Sequence, residues 1–126
     1  MTSELPSGLT LTDEKMPGFF TRKRMLVITF AAEDFDEFKP HYEAFSHALL
    51  AWYGKRGKRC GAVQIRATVH PWIAGRVKDY VRRLREIPAH APLKDMAVNV
   101  ILDGSDGKPL EPLTLQKAGQ EQVSEQ

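Results

Sequence analysis

The chain has 126 residues, 42% of them hydrophobic and 27% charged, a composition that suits one globular domain with a modest core and no room for separate catalytic and regulatory units. No apolar run approaches the roughly 20 residues that span a bilayer, and MTSELPSGLTLTDEK lacks the basic start and apolar stretch of a secretory signal, so no membrane partner and no export are expected. The single cysteine, Cys60, excludes an internal disulfide and a cysteine-based zinc site, which suits a reducing, cytoplasmic compartment.

The formal net charge of +2 conceals a strong segregation. Residues 55–85 hold ten basic and one acidic side chain, whereas residues 25–54 hold one basic and five acidic. Clustered Lys and Arg raise the local potential toward phosphates or acidic protein surfaces, so the middle block is where a partner is expected.

In chain order, residues 1–20 carry Pro6, Gly8, Pro17 and Gly18 without a sustained period and read as a flexible arm anchored by Phe19 and Phe20. RMLVITF, residues 24–30, is a β-branched apolar run expected of a strand covered on both faces. Phe38, Tyr42, Phe45, Leu49 and Trp52 then recur at helical spacing, with Asp34, Asp36 and Glu37 favouring the start, Pro40 in the first turn and Gly54 at the stop. AVQIRATVH, residues 62–70, alternates, with Val63, Ile65, Ala67 and Val69 on one face and Gln64, Arg66, Thr68 and His70 on the other. A second helix from about Trp72 places Ile73, Val77, Tyr80, Leu84 and Ile87 on one stripe and ends before Pro88. KDMAVNVILDG and PLTL flank the turn cluster DGSDGKP and read as a hairpin. Residues 117–126 read as a disordered tail. The expectation is a small single-domain α/β (α+β) sandwich over residues 21–116, order β-α-β-α-β-β, with two helices on a mixed sheet whose first two strands are parallel through a right-handed crossover.

The basic block is the strongest functional signal. Lys55, Arg56, Lys58 and Arg59 occupy a helix-to-strand loop, Arg66 a polar strand face, and Arg76, Lys78, Arg82, Arg83 and Arg85 the second helix, while Arg24 can extend the patch. Several such charges on one surface are what phosphate contacts require, and Tyr53 and Trp72 can stack on bases. The competing explanation is a solvated helix face, or a surface that docks on an acidic partner protein. Metal chemistry has little support. No HxH or HxxxH pair occurs, His41 and His47 are six apart, and the carboxylates of EDFDEF are accounted for by a helix N-terminus. The cations around Cys60 favour its thiolate, although a small residue entering a strand is ordinarily packing.

AVQIRATVHPWIAGR, residues 62–76, resembles the strand and turn near the C-terminal end of polysaccharide deacetylases, where a His-Pro ends an apolar strand and a Gly-Arg follows. The resemblance implies an active-site role beside a divalent metal for His70. The aspartate pair that this family carries after its first strand is absent, with Ala31 and Ala32 in its place, and so is the family's paired-histidine motif. Residues 25–54 are similar to the opening strand and helix of rolling-circle replication initiators, which bind DNA, again without the paired-histidine motif. In that comparison Tyr80 is a poor stand-in for the nucleophile because it lies on the apolar stripe.

The function expected is therefore a small binding or regulatory protein, an accessory factor that holds nucleic acid through residues 55–85 and needs no cofactor and no metal. The alternatives are an interaction module or inhibitor docking on an acidic partner, and a metal-dependent hydrolase of deacetylase type, or a degenerate fragment of one, that uses His70 with Asp34 or Asp36. The polar strand face also leaves room for a homo-oligomer.

Overall fold

Five strands, β1 (Thr10–Lys15), β2 (Arg24–Ala32), β3 (Cys60–Val69), β4 (Ala97–Gly104) and β5 (Leu113–Leu115), make one sheet in sequence order; the computed structural model describes residues 6–18 and 22–117. The central β2, β3 and β4 are parallel, and the edge strands β1 and β5 are antiparallel to their neighbours. Helix α1 (Phe35–Arg56) crosses from β2 to β3, and α2 (Ala74–Leu84), followed by a 3-10 segment over Pro88–Asp95, crosses from β3 to β4.

The mixed α/β class and the parallel crossover are as expected, but the order is β-β-α-β-α-β-β. Thr10–Lys15, read as part of a loose arm, pairs with β2 along its whole length, from Thr10 opposite Thr29 to Lys15 opposite Arg24. Leu9 and Leu11 alternate with Thr10 and Thr12, which is the period of a strand, and Leu9 is buried in the core. The expected anchor Phe19–Phe20 and residues 118–126 of the expected tail lie outside the described residues.

Helix α1 begins where the Asp34 carboxylate accepts from the Glu37 backbone N–H at 2.9 Å. This is a side-chain N-cap for an orphan donor, with Asp36 and Glu37 complementing the dipole. The helix does not stop at Gly54 but runs to Arg56, where Gly57, at φ 56°, takes a backbone conformation that L side chains rarely adopt. Pro40 lies beyond the first turn and so leaves the Asp36 carbonyl without its helical donor. The inward face is Phe38, His41, Phe45, Leu49 and Trp52, with Tyr42 only half-buried. In α2 the buried stripe is Ala74, Val77, Val81 and Leu84, with Tyr80 at its margin and Ile87 exposed.

These helix faces share one core with the alternate residues Leu26, Ile28 and Phe30 of β2, Val63, Ile65, Ala67 and Val69 of β3, and Val98, Val100 and Leu102 of β4. Each such large side chain contributes about 1.5–3 kcal/mol by leaving water. Among the described residues, no helix covers the opposite sheet face. There Thr10, Thr29, Arg66 and Ile101 form one cross-strand row, and Thr12, Val27, Gln64, Asn99 and Thr114 the next. Thus β2 is not covered on both faces, as its apolar run implied. Thr29 and Ala31 are exposed, and Val27 owes its 7% exposure to its neighbours in the sheet and not to the helical core. Among the described residues, no helix is long and apolar enough to cross a membrane.

Asp13 ties three elements together. It accepts from Arg24 Nε of β2 at 2.9 Å and from Arg56 Nε of α1 at 2.7 Å. Burial opposes its ionisation, but hydrogen bonds and charge from both guanidiniums outweigh that and hold its carboxyl below the ordinary range. Asp13→Ala is therefore expected to destabilise the protein by about 1–2 kcal/mol at pH 7, since a half-buried charged network is worth more than an exposed pair. A carboxyl depressed in the fold contributes fully above its unfolded value of 3.8 and loses that contribution as pH falls through the folded value. Urea titrations of both proteins should accordingly converge in strong acid.

Candidate functional site

Because β2, β3 and β4 run the same way, the sheet has two chemically distinct ends, about 30 Å apart by the rise of a ten-residue strand such as β3. The loop before β3 lies at the N-terminal end of the parallel strands, and the turns after β2 and β3 lie at the C-terminal end. The expected basic site is thereby divided.

The N-terminal end brings together the segments that carry Lys55, Arg56, Lys58 and Arg59, Arg22 and Lys23 before β2, Arg24 at its start, and Lys117 after β5. Arg56 is spent on Asp13. Arg59 Nε donates to the Arg22 carbonyl at 3.2 Å and Lys23 Nζ to the Lys58 carbonyl at 2.9 Å, so two of the cations stitch the segment before β2 to the loop before β3. Gly61 permits this closeness, since a Cβ there would meet Met16 Sδ and come within 2.8 Å of Lys23 Cβ. Lys23, Lys58 and Lys117 line a cleft of about 560 Å³ with Tyr53, Cys60, Pro92, Met96 and a single carboxylate, Asp95.

Tyr53, expected to stack on bases, has its hydroxyl hydrogen-bonded to His90 Nδ1 at 2.8 Å, and burial pushes its ionisation far up. It presents part of its ring to the cleft and is not a free platform. Cys60 also departs from expectation. Burial pushes its thiol up, and Asp13 adds to this, outweighing Lys23 and Arg56, so the thiolate is disfavoured. Its Sγ lies 3.8 Å from the Trp52 carbonyl.

The α2 cations do not form one track. Arg82 pairs with Asp79 at 2.7 Å, and Lys78 Nζ donates to the Glu111 carbonyl at 3.2 Å. Arg85, read as part of the contact surface, is 6% exposed and donates to the Gln116 carbonyl at 2.7 Å; it holds the segment after β5 and is removed from any contact surface. Arg76 and Arg83 lie over aromatic rings, 4.8 Å from the centroid of Phe35 and 5.6 Å from that of Tyr80. Arg66 is on the bare sheet face, donating to Gln64 Oε1 at 2.9 Å. Tyr80 itself packs edge-on against Phe38 and Tyr42.

At the C-terminal end stand Trp72, 87% exposed, and the residues of the hydrolase alternative. Asp34, Asp36, Trp72 and Arg76 line a cleft of about 410 Å³ together with Phe35 and Ile73. His70 shares this end of the sheet but is not part of the cleft lining; its Nδ1 accepts from the Trp72 N–H at 3.0 Å and caps the 3-10 turn Pro71–Ile73. Asp34 is engaged as the cap of α1. Among the described residues, no three His, Cys, Asp or Glu side chains are grouped so as to hold a metal ion.

Two histidines are buried: His41, weighed from sequence only as a metal ligand, and His90, which sequence patterning passed over. His41 stacks on Phe30 at 5.2 Å, and His90 receives Tyr53. Desolvation lowers both pKa values, against Glu37 and the Ala31 backbone for His41, and with help from His47 for His90. The unfolded chain binds these protons near pH 6.5 while the fold resists them, so stability is complete above that pH and declines as pH falls below it. Denaturant midpoints should drop between pH 7.5 and 5.5, and His41→Gln and His90→Gln should each remove part of the slope.

Comparisons with known protein families, with curated proteins and with solved structures find no match. The functional reading therefore rests on the two ends of the sheet.

Proposed function

We propose that the protein binds single- or double-stranded nucleic acid through the N-terminal end of its sheet, as an accessory factor without catalysis of its own. The observation that carries this reading is convergence: Lys23, Lys58 and Lys117, from segments far apart in sequence, line one cleft that holds one carboxylate among the described residues, and Arg22, Lys55 and Arg59 belong to the segments at the same end of the sheet. Phosphate contact needs such density, because each neutralised phosphate releases counterions and fixes the backbone without reading sequence. Arg56 and Arg24 support the surface by holding Asp13, and they are not its contacts.

The acidic-protein alternative is favoured by a different observation. Trp72 in the 3-10 turn before α2 and Arg76 and Arg83 on the exposed side of α2 succeed one another along the chain, and Trp and Arg are the residues that dominate protein–protein hot spots. That surface begins at the opposite end of the sheet, so the two readings separate by mutation.

Binding of labelled oligonucleotides across a salt series should show a steep decline in affinity. The slope should fall by about 2–3 in a variant with Lys55, Lys58 and Arg59 changed to Ala, roughly one unit per lost phosphate contact. Trp72→Ala should leave oligonucleotide affinity within about twofold, as expected of a residue outside the charged surface. Absence of binding at low salt would overturn the nucleic-acid reading in favour of the docking surface around Trp72.

A further inference from the structure

Resting on that reading, we infer that the cleft between Lys23, Lys58 and Lys117 receives a nucleotide phosphomonoester: the phosphorylated end of a strand, with its first base inside. The chemistry of the cleft differs from that of the surface around it. Its cationic members are ammonium groups, compact donors with three N–H bonds each and so suited to a phosphate approached from several sides, whereas the neighbouring Arg24, Arg56 and Arg59 hold Asp13 and the Arg22 carbonyl. A terminal phosphate carries about −1.5 to −2 charges against −1 for a diester, and so gains more from three converging lysines. Lys23 Nζ is held at the Lys58 carbonyl, 2.9 Å away, which fixes its ammonium against the backbone of the loop that carries Lys58.

The remainder of the lining is apolar. Tyr53, Pro92 and the buried Met96 form a surface that a passing sugar–phosphate backbone would leave unused but a planar base can cover. Tyr53 is fixed there by its bond to His90, so the surface is formed before any ligand arrives. Asp95, the one carboxylate of the lining among the described residues, accepts from a sugar hydroxyl or a base N–H and repels phosphate from its own side, which orients the guest. The volume, about 560 Å³, falls in the range of small-molecule sites and exceeds what phosphate alone would fill.

The test uses the full chain and 3′-labelled single strands of one sequence with either a 5′-phosphate or a 5′-hydroxyl, together with adenosine and guanosine monophosphates as competitors. The phosphorylated strand should bind about tenfold more tightly, as expected for added charge-assisted hydrogen bonds. That preference should vanish in Lys58→Ala and Lys117→Ala, while Lys55→Ala, outside the cleft lining, should weaken both strands alike. Equal affinity for the two strands, with no competition by the monophosphates, overturns the cleft assignment and leaves the basic surface intact. Binding of a monophosphate by a protein that holds neither strand supports the cleft with a free nucleotide as its source and overturns the nucleic-acid reading. Binding of none of the probes overturns both.

Discussion

Everything in this molecule follows from the direction in which its chain steps across the sheet. From β2 to β3 to β4 it moves one way, and each step is a parallel crossover. Such crossovers are right-handed almost without exception, so successive steps in one direction deliver their helices to the same face. The core is accordingly a single layer between α1, α2 and the inner residues of three strands, and the other face is left mainly to Thr, Gln, Asn and Arg side chains, with Val27 and Ile101 among them.

The same directionality sorts charge. Both helices start at the C-terminal end of the parallel strands and finish at the N-terminal end. A helix favours carboxylates at its start and cations at its finish, and α1 carries Asp36 and Glu37 in its first turn and Lys55 and Arg56 in its last. Part of the basic character of one end thus has a local structural origin. What that origin does not supply is the arrival of Lys23 and Lys117 from other segments to complete a cleft, and this is the feature the functional reading uses.

Much of the fold was legible because its signals are periodic. The spacing of Phe38, Phe45, Leu49 and Trp52, and the alternation through Val63, Ile65 and Ala67, report burial on one side, and the structure buries those residues. Thr10–Lys15 was missed because Pro6, Gly8 and the charged DEK outweighed two leucines, although Leu9-Thr10-Leu11-Thr12 held the strand period. The run RMLVITF concealed which face would be covered, since every position on both faces is apolar or Thr after its first residue. The site was legible only as a list of cations. Linear order groups Trp72 and Arg76 with Lys58, whereas a ten-residue strand separates them. Arg85 and Tyr53 read as surface groups because nothing in their local sequence announces the partners Gln116 and His90, which other segments bring.

The crossover topology also dictates how the chain must assemble. Pairs such as Ile28 with Ile65, or Ile65 with Val100, join only after an intervening helix has been enclosed, so the loop entropy is lost before the central ladders can repay it. The contacts between β1 and β2 and between β4 and β5 lie close along the chain and carry no such burden. Folding of this domain is therefore paced by its middle and not by its edges, and the buried aromatic cluster of Phe30, Phe38 and Phe45, which joins α1 to β2 over a short stretch of chain, is the natural place for a nucleus to gather.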